Sequence, residues 1–128
     1  MSHFTTVKTK ISDRECLKRA IKDLGYDYDE NKTEIRGYQD RKIKVDILVK
    51  TGGTYEIGMV RSGDVYSIVA DWWGVKEASK IDEKTFIPKL TQKYAYHKTR
   101  EVLAEKGFVL SDEKVNENNE IILTVRQW

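Results

Sequence analysis

Leu24-Gly25-Tyr26 near the start of the chain and Lys106-Gly107-Phe108 near its end set the reading of everything around them. In both, a glycine follows a run of helical periodicity and an aromatic follows the glycine. Glycine supplies the left-handed residue that stops a helix, and the aromatic after it can fold back on the last turn. Each helix is thereby tied to the sheet that follows it. With a strand before each helix, the order strand, helix, strand, strand is expected at both ends of the chain. That is the pattern of an α+β domain, one antiparallel sheet with two helices packed on one face.

Upstream of the first stop, residues 4–11 are rich in Thr, Val and Ile, with Val7, Thr9 and Ile11 on one face of an extended segment. Ser12 with Glu15 reads as a capping box for a helix over 13–24, whose Leu17, Ala20, Ile21 and Leu24 recur at helical spacing. Beyond it, residues 26–38 read as two short strands around a turn at Asn31-Lys32. Residues 42–49 alternate, with Ile43, Val45, Ile47 and Val49 on one side and Lys42, Lys44 and Asp46 on the other, which predicts one continuous half-buried strand. Gly52-Gly53 and Ser62-Gly63-Asp64 turn the chain into strands over 55–61 and 65–72, completing a meander. Trp72-Trp73-Gly74 opens a polar connector. Asp82 or Thr85 then caps a long helix that holds Pro88 in its first turn and carries the stripe Ile87, Leu90, Tyr94, Ala95, Thr99 and Val102 to Gly107. Phe108–Leu110, a turn at 116–119 and alternating Ile121, Leu123 and Val125 finish the chain.

A length of 128 residues suits one domain, and no Pro-rich, Ser-rich or low-complexity linker divides 1–128. Lys plus Arg number 23 against Asp plus Glu 21, a net charge of +2 that requires neither a nucleic-acid nor a membrane partner. No apolar run approaches the roughly 18 residues of a membrane span, and the N-terminus lacks the apolar core of a secretion signal. A soluble, unsecreted protein without membrane insertion is expected, and the single Cys16 agrees with a reducing compartment. The sequon Asn31-Lys32-Thr33 is then without consequence.

The opening Met1-Ser2-His3-Phe4, the run from Val7-Lys8-Thr9 to Asp13, Leu24-Gly25-Tyr26, Tyr94-Ala95-Tyr96, Gly107-Phe108 and the final Trp128 resemble, end to end, the family called hypothetical chloroplast reading frame thirty-five. The resemblance implies a home in the plastid stroma or the cyanobacterial cytoplasm. It brings no catalytic residue and no cofactor with it.

The residues themselves offer little chemistry. Asp27, Asp29 and Asn31 begin like a calcium loop, but Lys32 stands where glycine is needed and Tyr38 where the bidentate glutamate belongs. His3, His97 and Cys16 lack the spacing of a zinc site, so no metal is expected. Cys16 reads as a small residue beside the core, Gly52-Gly53 as a hairpin turn and Asp112-Glu113 as a solvated surface.

The aromatics stand apart. Trp72 and Trp73, adjacent at the end of a strand, should point to opposite faces, leaving one of them partly exposed. Tyr96 and His97 fall off the buried stripe of their helix. If these four converge with Trp128, they make a patch suited to a protein partner or to stacked bases, with Lys98 and Arg100 beside it; otherwise the tryptophans only seal the sheet. Three readings follow: a non-enzymatic accessory domain that binds another protein; a single-stranded nucleic-acid module using Arg41, Lys42, Lys44 and Lys50; and an enzyme or small-ligand sensor using Cys16 or His97. The first is the expected one.

Overall fold

The computed structural model describes residues 3–31, 34–118 and 120–127. The turn expected at Asn31-Lys32, the sequon and Trp128 therefore fall partly or wholly outside the described residues. The elements run β1 (Thr5–Lys8), α1 (Arg14–Asp23), β2 (Tyr28–Asp29), β3 (Glu34–Arg36), a 3-10 turn (Tyr38–Asp40), β4 (Lys42–Lys44), β5 (Ile47–Val49), β6 (Ile57–Ser62), β7 (Val65–Ala70), α2 (Trp72–Ser79), α3 (Glu83–Glu105), β8 (Phe108–Val115) and β9 (Ile121–Gln127). The protein is α+β: a five-stranded sheet in the order β1-β7-β6-β5-β2, antiparallel throughout, two separate hairpins, β3-β4 and β8-β9, and three α-helices.

Both glycine stops form as read, with Gly25 at φ 90° and Gly107 at φ 82°. Tyr26 folds back onto the main core, tilted against Phe86 at 5.8 Å. The meander β5-β6-β7 also forms where the turns place it. Alternation then sorts its side chains. Ile47, Val49, Ile57, Met59, Tyr66, Ile68 and Ala70 turn to one face and meet Cys16, Leu17, Ala20 and Ile21 of α1 and Phe86, Leu90 and Tyr94 of α3. Leu48 and Val69 turn to the other face and meet Ile35 and Val45. The helices thus cover one face of the sheet and the β3-β4 hairpin covers part of the second. Gly58 is needed there, since a Cβ would lie 2.3 Å from Val45 Cγ1.

Several expectations are corrected. The strand expected over 42–49 breaks at Val45-Asp46: Ile43 and Val45 belong to the second face while Ile47 and Val49 belong to the main core. The break swings β4 away to pair with β3 and leaves β5 in the large sheet. The two short strands of 26–38 likewise part, β2 joining β5 and β3 joining β4. Among the described residues β8 and β9 pair only with each other, and α2 intervenes before α3, so the order strand, helix, strand, strand is not repeated and the two ends do not build one sheet. The polar connector after the meander is instead the helix α2. Asp13 rather than Ser12 caps α1, its side chain accepting from Cys16 N–H, while Ser12 N–H donates to the Tyr94 hydroxyl. Asp82 caps α3, so Pro88 falls in the second turn, where its missing N–H leaves the Lys84 carbonyl on the exposed side of the helix. Within the expected stripe Leu90 and Tyr94 are buried but Ala95 and Thr99 are exposed, and Phe86 joins the buried set.

Candidate functional site

The residues 71–74 join the sheet to α2. Asp71 follows β7 directly, with its side chain fully buried. One carboxylate oxygen accepts from Gly74 N–H at 3.2 Å, capping α2 over a sequence whose Trp, Gly and Val are poor helix formers. The other accepts from Tyr38 N–H at 2.9 Å, reaching the 3-10 turn between β3 and β4. Gly74 lies against the Tyr55 ring, with no room for a Cβ, and Val75 is buried in the core. One carboxylate therefore fixes two segments far apart in sequence.

Each segment presents a large ring to solvent. Trp73, the second residue of α2, is 57% exposed, and Tyr38 is 44% exposed. The turn that carries Tyr38 holds Gln39 and Asp40 at φ 60° and 59°, two successive non-glycine residues in the left-handed region. Each costs of order 1–2 kcal/mol and needs surrounding structure to hold it. Arg41 and Lys42 follow, both exposed. Trp72 has the opposite fate, packing its half-buried ring on Phe86 at 5.8 Å with its indole N–H buried and unpartnered. The tryptophans still part, as expected, but as helix neighbours about 100° apart rather than as alternating residues of a strand.

Tyr96 and His97 come together on α3, edge to face with ring centroids 5.2 Å apart. The Tyr96 hydroxyl lies 2.7 Å from Glu113 and accepts from Arg100 at 3.0 Å, and the Glu113 hydrogen bond is the main cause holding its proton above the ordinary value. His97 Nε2 lies 2.5 Å from Asp23 at the end of α1. Among the described residues no ring contact joins this pair to Trp72 or Trp73.

Asp13, Cys16 and Glu101 place ligand-type atoms within 4.8 Å of one another, a grouping that spacing in the sequence did not reveal. Its cation is already present: Lys98 Nζ lies 3.1 Å from Asp13 and 3.6 Å from Glu101. The Cys16 N–H bond, more than Lys98, holds the Asp13 carboxyl below the usual range. Burial, then the hydrogen bond from its thiol to Glu101, pushes Cys16 up to about 12. A thiol so placed supplies no thiolate near neutral pH.

Sequence reasoning singled out Trp73 but missed Tyr38 and Asp71. A lone Tyr in a polar stretch carries no periodic signal, and Asp71 reads as an ordinary strand end. The one available cue was an Asp three residues before Gly74, the spacing of a helix cap.

Residues 20–124 match the family described as "Protein of unknown function (DUF1257)". The chain is 33% identical to the "Uncharacterized protein ycf35" of Guillardia theta, 34% to that of Pyropia yezoensis and 30% to that of Cyanophora paradoxa. Each alignment covers all of this chain and 98% of the relative. No solved structure matches the chain.

Proposed function

Because the chain belongs to the DUF1257 family, together with the ycf35 proteins, we propose that it is a non-enzymatic accessory domain that binds another protein, working in a plastid stroma or a cyanobacterial cytoplasm. The observation that carries this reading is the pair of exposed rings, Trp73 and Tyr38, on segments pinned to one buried carboxylate. Aromatic anchors dominate the energy of protein interfaces, and anchors already fixed in place lose little entropy on binding. Rings held on fixed segments are ready for a partner. Tyr96 and His97 are engaged with Glu113, Arg100 and Asp23. Among the described residues no helix is long and apolar enough to cross a membrane, which agrees with a partner met in solution.

The test is affinity purification of the tagged protein from its native cells, comparing wild type with Trp73→Ala, Tyr38→Ala and the double variant, each first shown to be folded by circular dichroism. The partner captured by wild type should be lost from the double variant. Retention of every partner by a folded double variant would remove the reading.

A second reading, single-stranded nucleic acid, is favoured by exposed Arg41 and Lys42 directly after Tyr38, a basic and aromatic combination able to hold phosphate and stack a base. Its signature is binding strongest at low salt and lost on nuclease treatment. Absence of binding at low salt eliminates it.

A further inference from the structure

We propose that two copies of this chain pair, each laying its β8-β9 hairpin into the groove between β1 and α3 of the other. Among the described residues β1 is an edge of the five-stranded sheet, bonded only to β7. Thr9 N–H donates to Tyr66 on β7. Alternate residues of an antiparallel ladder face opposite ways, so Thr6 and Lys8 turn their backbone groups to the open side. That side opens on a groove of about 360 Å³ whose walls are Val7 of β1, Ile11 of the segment that follows it, and Ile87 and Tyr94 of α3, with the exposed Lys8 and Lys10 also lining it.

The same chain carries an element short of cover. No described side chain of β8 or β9 is buried, and Val115 is 64% and Ile122 49% exposed. A two-stranded hairpin is marginal by itself and gains from a third strand or a packed face. Its charge is opposite to that of the groove: Asp112, Glu113, Glu117 and Glu120 outnumber Lys114 and Arg126, all exposed. Charge complementarity selects a second copy as the occupant.

The geometry closes. Thr91, Ala95 and Thr99 are exposed and spaced by four, so they lie along one line of α3. The groove flanks this line at Thr91 and Ala95, and the hairpin's Ile121 and Leu123 flank it at Ala95 and Thr99. A two-fold axis near Ala95 carries each hairpin toward the other copy's groove, giving a self-complementary interface that is complete at two copies.

Sedimentation at low salt should give a species of twice 14.9 kDa that weakens as salt is added. K8E/K10E makes groove and hairpin both acidic, and D112K/E117K makes both basic, so each variant alone should be monomeric. Mixed together they should form the mixed pair, since each groove then meets a hairpin of opposite charge. Misfolding could not produce that rescue. A monomeric wild type at low salt, or two folded variants that stay monomeric on mixing, would overturn the proposal. Neither result bears on Trp73 and Tyr38, whose partner is read by a different experiment.

Discussion

Asp71→Ala tests the core of the site. The side chain is fully buried and satisfies two backbone donors, Gly74 N–H at 3.2 Å and Tyr38 N–H at 2.9 Å. Leaving a buried donor unmade costs about 1–3 kcal/mol, and losing a helix cap costs typically about 1 kcal/mol within that figure. The Tyr38 side is discounted, because the strained turn at Gln39 and Asp40 can relax toward water once released. Taking about 2 kcal/mol for the Gly74 side and the low end, about 1 kcal/mol, for the Tyr38 side gives about 3 kcal/mol. For a domain of this size that corresponds to a fall in midpoint of roughly 12 °C, taking about 4 °C per kcal/mol. Asp71→Asn separates the two bonds. Its amide oxygen can still cap Gly74 but its NH2 opposes Tyr38 N–H, so about half the loss is expected. Thermal unfolding followed by circular dichroism gives the magnitudes, and amide hydrogen exchange gives the assignment: in Asp71→Asn the Tyr38 amide loses protection while Gly74 keeps it. An Asp71→Ala midpoint within about 2 °C of wild type would mean that the carboxylate is not what joins the two segments.

Further predictions follow from the second face of the sheet and from the buried thiol. Gly58→Ala drives a methyl to 2.3 Å from Val45 Cγ1 and should cost about 1–3 kcal/mol by overpacking, less in a Val45→Ala background. Equal penalties in both backgrounds, measured by urea unfolding, would show that Val45 is not what the new methyl strikes. Cys16 in the folded protein should not react with a thiol reagent at pH 8, and reaction should appear only as the chain unfolds. Its thiol is held up to about 12 against an ordinary 9.0, so its stabilisation is complete below pH 9 and falls as pH rises from 9 toward 12. A Cys16→Ser variant losing the same stability over that range would assign the loss to other groups.

Near neighbours along the chain settle the parts of the fold that depend on them alone. The stops at Gly25 and Gly107 follow from one residue's freedom at positive φ, and the burial of Leu17, Ala20 and Ile21 follows from helical spacing. The meander from β5 to β7 follows from alternation punctuated by turns. Tertiary structure decided what depends on distant partners. Ile43 to Val49 alternates without fault, yet the chain divides it because Ile43 and Val45 find cover with Ile35 while Ile47 and Val49 find it beneath the helices. Trp72–Ser79 has little local reason to be a helix until Asp71 caps it and the core takes Val75. The segments that carry Trp73 and Tyr38 are held together by a single carboxylate that reaches both backbones. Periodicity records whether a residue is buried; it does not record against what, because the partner lies elsewhere in the chain and contact is made only on folding.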